Sequence, residues 1–372
     1  MKTRTSAWVS IALFALVLAA VLLLFLLTPD RDFSPVENRM LAQAPALSAS
    51  SVADGSFMTD FETYLTDQFP LRDRWTELKA ACERLLLKKE YNGVYLCSGG
   101  TLITRMDEPD PAQVRRNIRA VNELCESCGV PVYLALIPNA ACVWADKLPA
   151  GAPTADQRAL IEEICGGVNA VYVDVDGALL AHADEEIFYR TDHHWTTLGA
   201  WYGYAAFAEA AGFEPVPLSA YTPRVESQRF YGTVYSQSGV HWTAPDVITT
   251  YVPDAGVTVT NYSDGQPHPG QVYDRSFLEK KDQYAMFYGG NTPRLVIETG
   301  HPGPKLLILR DSYMDSESPF LFAHYSEIHM IDLRYYRLSL ADYLRENDLD
   351  QVLVSYAVAN FVTDRQVVLA AS

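Results

Sequence analysis

The chain has 372 residues, enough for one large domain or two smaller ones with a full hydrophobic core. Its 46 acidic against 29 basic residues give a formal net charge of −17, which argues against a nucleic-acid partner, because phosphate binding needs clustered Lys and Arg. A locally neutral or cationic face for a sugar polymer remains compatible with that balance.

The run AWVSIALFALVLAAVLLLFLL, Ala7 to Leu27, contains one polar residue, Ser10. As a helix it spans about 30 Å, the thickness of a hydrocarbon core. Lys2 and Arg4 precede it, so the positive-inside rule keeps the short tail in the cytoplasm and sends the remainder out. The following "LLTPDRDF" offers no small-x-small cleavage site. The expectation is an uncleaved single-pass anchor at the cell membrane over 1–28, a tether over 29–56 and an extracytoplasmic body over 57–372.

Two amphipathic helices are predicted next: Phe57, Phe61, Tyr64 and Leu65 repeat at helical spacing, as do Trp75, Leu78, Cys82 and Leu85, with Pro70 between. "GVYLCSGGTLI" alternates around Ser98-Gly99-Gly100 and reads as a hairpin. From there the pattern is α/β. "VRRNIRAVNELCESCG" is a helix ending at Gly129, "VPVYLALIP" a strand covered on both faces, Asp156 to Cys165 a helix, "AVYVDV" a strand and Asp176 to Ala183 a short helix. All six cysteines lie between the anchor and residue 190; Cys125-x-x-Cys128 has no second pair to complete a zinc or redox motif, so small buried residues or one bridge are expected.

"YRTDHHWTTLGAWYGYAAFAEAAG" then sets Asp192, His193, His194 and Trp195 ahead of a helix capped by Thr196 or Thr197 and ended by Gly212, with Leu198, Trp201, Tyr202, Ala205 and Ala208 on one stripe. The stretch 213–303, rich in Pro, Gly and Tyr, is expected to hold short strands in a lid-like, β-rich insertion. After it, "KLLILR" is a strand, the segment beyond Asp311-Ser312 a helix, "EIHMIDL" a strand, Leu340 to Glu346 a helix, and "QVLVSYAVANF" begins as a strand.

Alternating strands and helices imply a parallel sheet covered on both sides, with a site beyond the carboxyl ends of its strands. "KLLILR" therefore delivers Arg310-Asp311-Ser312 to that edge. A serine placed where a helix begins has its own backbone N–H available to an oxyanion. Its hydroxyl needs a base, and the base an orienting acid. Asp192 and His194, two apart in an extended segment, put their side chains on the same side, while His193 points the opposite way. Three readings of Asp-His-His stay open: a triad's acid and base, a metal site and a polar helix cap. A metal site needs further ligands, and none of His241, His268, His301, His324 or His329 stands at a recognisable spacing. No metal and no cofactor is assigned.

"FYRTDHHWTTLGAWYGY", with "ENRMLAQAP", "DGSFMTDFETYLTDQFPLRDRW", "FYGTVYSQSG", "MFYGGN" and "LLILRDSY", resembles the DHHW protein family, from about Glu37 to Phe361. That family is similar to alginate O-acetyltransferase proteins with an SGNH-hydrolase-like domain. The resemblance implies a three-layer α/β/α fold with a parallel central sheet and permuted motif order, plus the N-terminal transmembrane helix and the insertion. Asp192 and His194 match the acid and base of a D-x-H-W motif, Ser312 matches the later nucleophile, and His193 falls on the variable position. Arg310 stands where ordinary SGNH hydrolases have Gly. Asn360 would join the Ser312 N–H in an oxyanion hole, with Asn291 of "GGN" its rival.

The implied activity is acyl transfer: an O-acetyltransferase or acetylesterase acting on a cell-surface polysaccharide through acetyl-Ser312. Trp195, Tyr235 and Tyr313 are the aromatic candidates for sugar contact. A transferase would need a membrane-bound acyltransferase to supply acetyl groups, and an esterase would not. The alternatives are a catalytically silent polysaccharide-binding or assembly protein of the same fold, and a metal-dependent hydrolase using His193 and His194.

Overall fold

The computed structural model describes residues 2–34 and 39–371, with only the backbone of residues 2–5 and 39. The charges of Lys2 and Arg4 and the Glu37-Asn38 opening of "ENRMLAQAP" therefore lie outside the described residues. Contacts divide the chain into residues 1–88 with 239–241, and residues 89–238 with 242–372.

In the smaller unit, Ser6–Leu27 is a 22-residue stretch whose most apolar 18 residues have a mean hydropathy of 3.1, long and apolar enough to cross a membrane. The two predicted amphipathic helices form as Ser56–Asp67 and Arg72–Leu85. Their junction binds backbone groups of Arg31 and Ala42, within the stretch 29–56. Gln68 donates to the carbonyls of Arg31 and Ala42 at 2.9 Å each and accepts from the Arg31 N–H, while Asp67 Oδ2 accepts the Ala42 N–H at 2.8 Å. Both side chains are buried, so the backbone they bind meets its polar needs away from water.

The larger unit is built on an eight-stranded sheet. Its strands are β1 (Val132–Ile137), β2 (Val171–Val173), β3 (Thr258–Asn261), β4 (His268–Gly270), β5 (Arg294–Glu298), β6 (Lys305–Arg310), β7 (Glu327–Ile331) and β8 (Gln351–Ala357). They lie in the order β4-β3-β5-β7-β6-β8-β1-β2. The run β7-β6-β8-β1-β2 is parallel, as the alternating pattern predicts. The sheet is nonetheless mixed, because β5, β3 and β4 add an antiparallel edge. These three strands come from 213–303, the stretch expected to form an insertion. The short link between β3 and β4 cannot carry the crossover of a dozen or more residues that parallel pairing requires.

Alternate residues of the parallel strands feed two cores. Leu307, Leu309, Leu134, Leu136, Val352 and Val354 pack against helices α1 (Pro111–Ser127), α2 (Gln157–Gly167) and α7 (Leu340–Glu346) and a C-terminal helix α8 (Val358–Thr363). Leu306, Ile308, Tyr133 and Ala135 point the other way, toward Trp195 and helices α3 (Val175–Ala181) and α4 (Thr197–Ala211). Thr196 caps α4 by accepting the Gly199 N–H, and Gly212 ends it at φ 79°.

Helix α4 buries a different face from the one its large residues suggested. Ala200, Gly203, Tyr204 and Phe207 face inward, while Leu198, Trp201, Tyr202 and Ala205 are half-exposed; of the expected stripe only Ala208 is buried. The reason is close approach. A Cβ at Gly199 would fall 2.3 Å from the Ile187 carbonyl oxygen, and one at Gly203 would fall 2.7 Å from the Trp195 ring, so the small residues must face in.

Candidate active site

Parallel strands end together, so the segments after β6, β7 and β8 share one edge of the sheet. Beyond β6, Asp311 is buried and organises the turn that carries Ser312. Its Oδ1 accepts the Tyr313 N–H at 3.0 Å, and its Oδ2 accepts the Ala357 N–H at 2.8 Å and the Asn360 Nδ2–H at 2.7 Å. The Ser312 backbone N–H has no partner among the described residues and stands just before helix α6 (Met314–Glu317).

Arg190 to His194 form a bend, not the extended segment that was expected. Asp192 Oδ1 accepts the backbone N–H of His194 at 3.0 Å, the side-chain-to-i+2 bond that Asp favours in turns, and the His194 Nδ1–H at 2.5 Å. Asp192 and His194 thus meet through a local turn instead of strand alternation. The same bend lays His193 against His194, with ring centroids 3.9 Å apart, so it does not point away. His193 Nδ1 bonds Thr233 Oγ1 at 2.7 Å. Burial, with the neighbouring imidazole of His194, holds its pKa below the ordinary histidine value.

The other ring nitrogen of His194 meets the serine: Nε2 lies 2.7 Å from Ser312 Oγ. Ser312, His194 and Asp192, named from sequence, are therefore joined in one hydrogen-bonded row. Asp192 is buried, which alone would raise its pKa, but both imidazoles and the Thr233 N–H hold it far below the usual carboxylate range. It is ionised at neutral pH.

Several supports escaped the sequence reading. Tyr284 stacks on His194 at 3.8 Å and 8°, and its hydroxyl donates to the Ser312 carbonyl at 3.1 Å. Helix α5 (Thr233–Ser238) begins against Asp192, whose Oδ2 accepts the Thr233 N–H at 2.7 Å and its Oγ1–H at 3.0 Å. Asp246 holds the loop from behind, accepting from the backbone N–H groups of Arg190 and Thr191 at 3.0 and 2.8 Å. The one available signal was "FYGTVYSQSG", which contains Gly232 and Thr233; Tyr284 and Asp246 lie in no spacing that links them to the histidines.

The aromatic candidates separate. Trp195 and Tyr313 are fully buried and so are braces, not sugar contacts. The Trp195 indole donates to the Tyr313 carbonyl and Ser316 Oγ, both at 3.0 Å, and the Tyr313 hydroxyl donates to the His193 carbonyl. These bonds tie the serine segment to the histidine segment. Tyr235 is half-buried, paired with Tyr231 at 4.4 Å and with Lys281 Nζ 5.3 Å from its ring centre. Of the oxyanion candidates, Asn360 gives an amide hydrogen to Asp311, and Asn291 is exposed, just after a turn. Arg310 is buried, with Nη1 2.9 Å from Asp315 Oδ1, so the residue that replaces Gly is held by an ion pair beneath the turn.

Asp192, His193 and His194 offer three possible ligand atoms within 4.8 Å of one another. Both ring nitrogens of His194 already serve Asp192 and Ser312, and no fourth described His, Cys, Asp or Glu joins the group. His324 instead bonds Tyr204, and His329 bonds Tyr343 and Glu327. All six thiols are free, so no bridge forms at Cys125 and Cys128.

Similarity to known proteins agrees with this architecture. A solved DHHW family protein from Eubacterium siraeum is 29% identical, covers 75% of this chain and 95% of its own, and superposes with a TM-score of 0.65. Bacillus cereus PatB1, solved with a sulfonyl adduct, shares the fold at 20% identity and a TM-score of 0.59, over 72% of this chain and 95% of that one. The probable alginate O-acetylase AlgJ of Pseudomonas aeruginosa is 27% identical over 209 residues, 51% of this chain and 52% of AlgJ. The chain spans about half the length of the curated relatives it matches. The family description "DHHW protein" matches residues 129–331, a span that holds the Asp192–His194 bend, its braces and the Ser312 turn, and the chain belongs to the DHHW protein family.

Proposed function

We propose that this chain is a membrane-anchored, SGNH-hydrolase-like acyl-transfer enzyme that adds or removes O-acetyl groups on a cell-surface polysaccharide. The observation that carries the reading is the continuous row from Ser312 Oγ through His194 to the ionised Asp192, at 2.7 and 2.5 Å. His194 Nε2 takes the Ser312 proton as Oγ attacks the carbonyl carbon of an acetyl ester. The negative charge of the tetrahedral intermediate is met by the unpartnered Ser312 N–H, with the N-terminal end of α6 behind it. As the intermediate collapses, the leaving alkoxide takes the proton from His194, and acetyl-Ser312 remains. A sugar hydroxyl or water, deprotonated by His194, then attacks that ester and releases the serine. Asp192 keeps the Nδ1–H tautomer and stabilises the imidazolium without itself taking the proton.

The apolar stretch Ser6–Leu27 supports the anchor, and an extracytoplasmic transferase would draw acetyl groups from a membrane-bound acyltransferase. Similarity to a probable alginate O-acetylase supports a polysaccharide acceptor. The test is fluorophosphonate labelling with turnover of an acetyl ester, measured with and without a glycan acceptor. Labelling lost in Ser312→Ala supports the proposal. No labelling or turnover by well-folded protein points to the silent binding protein, and turnover abolished by a chelator points to the metal reading. Faster ester loss with acceptor present marks transfer over hydrolysis.

A further inference from the structure

Helix α4 is apolar almost all round: within TLGAWYGYAAFAEAA the one charge is Glu209. Such a helix is normally covered on every side. Here Trp201, Tyr202, Ala205, Ala206 and Ala210 line an open groove of about 1010 Å³, together with Tyr172, His182 and Phe213. Pockets of ~300–1,000 Å³ hold a drug-sized ligand, so there is room for more than one sugar ring. None of its lining residues belongs to the serine site. Glu209 stands about 18 Å along the helix from Thr197, which adjoins the Asp-His-His bend.

The walls are already fixed. The Trp201 indole donates to the Val216 carbonyl at 3.1 Å. Tyr202 stacks on His182 at 3.8 Å and 17°, and both bond the same Glu185 Oε1 at 2.8 Å. Rings held in advance lose little freedom when a flat partner stacks on them. Ala178, Ala205, Ala206 and Ala210 share the lining and, being small, leave the groove unfilled. The rim carries Asp174, Glu209 and Glu214, all exposed, and the lining contains no Lys or Arg. The side chains of Glu209 and Glu214 form no ion pair or hydrogen bond among the described residues.

We infer that this groove is a second carbohydrate-binding site, separate from the serine, that takes a hexosamine chain carrying free amino groups. Aromatic faces with polar edges suit the apolar faces of sugar rings. Three carboxylates with no opposing cation suit ammonium groups and repel uronates or phosphates. The choice of a sugar chain over a basic peptide rests on the polysaccharide reading above; the charge preference does not.

The test uses the full chain in detergent carrying Ser312→Ala, so binding is read without turnover. Titration calorimetry compares a glucosamine tetramer, its fully N-acetylated form, a uronate tetramer and a lysine-rich peptide. The glucosamine tetramer is expected to bind at least tenfold more tightly than the other three. That binding should weaken with salt and fall at least tenfold in Trp201→Ala and in the exposed pair Glu209→Gln/Glu214→Gln. The pair also guards against a folding defect in the tryptophan variant. On the Ser312 background, fluorophosphonate labelling of these variants should match wild type. Equal binding of the acetylated tetramer, tighter binding of the peptide, no binding of any probe, or affinity unchanged in the acidic pair overturns the inference. Loss of labelling in wild type sinks the enzyme reading and leaves the groove's charge preference standing.

Discussion

Gly232 presses directly on the catalytic carboxylate proposed above, so adding one methyl group there tests the relay without replacing any of its members. A Cβ at this position would lie 2.2 Å from both the Cβ and Oδ2 of Asp192 and 2.5 Å from its Cγ. Carbon atoms pack at about 3.5–4.0 Å, so Gly232→Ala forces the groups apart by roughly 1.3–1.8 Å. The Asp192–His194 bond is 2.5 Å long and does not survive a shift of that size. Misplacing a reacting group by about 1 Å costs around 100-fold, and overpacking costs about 1–3 kcal/mol of stability. Gly232→Ala should therefore lose about 100-fold in kcat/KM on 4-nitrophenyl acetate and several degrees in Tm. The double variant Gly232→Ala/Asp192→Gly removes every clashing atom, Cβ included, so its Tm should recover toward that of Asp192→Gly while activity stays lost. Activity of Gly232→Ala within about threefold of wild type would falsify the proposed dependence on Asp192 placement.

Replacing the acid by its amide, Asp192→Asn, should lower kcat by about 10²–10⁴, because the amide favours the wrong imidazole tautomer, and should also lower Tm, because an NH2 group then faces donors that both carboxylate oxygens now accept; a loss in kcat under tenfold contradicts the assignment. Tyr284→Phe keeps the ring on His194 and removes only the hydroxyl, so kcat should fall no more than about tenfold, whereas Tyr284→Ala frees the imidazole and should cost at least 100-fold; equal losses in steady-state assays would remove the stacking role. Glu317 is buried, which pushes its carboxyl from an ordinary 4.5 up to about 8. Between those two pH values the folded chain holds a proton that the unfolded chain releases, so stability falls as pH rises, by up to a few kcal/mol. Glu317→Gln should consequently melt several degrees above wild type at pH 8, with the advantage shrinking toward pH 4.5; a difference that is flat with pH contradicts it.

The parallel half of the sheet was readable because β1, β6 and β8 are continuous apolar runs bounded by turn residues. Leu340–Glu346 was readable from its own periodicity. The Ser312, His194 and Asp192 row was also readable, since two of its members are near neighbours and the third follows a strand. What sequence spacing missed was governed by approach instead of period. Gly199 and Gly203 decide which side of α4 faces in, against the preference of its larger residues. The side-chain bond of Asp192 to the His194 N–H turns an apparent strand into a bend and brings His193 onto its neighbour. Tyr284 and Asp246 reach the site from distant positions, and nothing local in the sequence announces a residue that serves only by packing.

That bend has a broader implication. The proposed acid and base sit in one short loop that orients itself, and the proposed nucleophile arrives independently on the turn after β6. The indole of Trp195 couples the two pieces, bonding across 118 residues to the Tyr313 carbonyl. Chemistry divided in this way is portable: any chain path that returns the two loops to the same rim restores it. The order in which they are translated is then free to vary, and the joint at Trp195, more than the hydrogen-bonded row itself, is where such a rearrangement has to be matched.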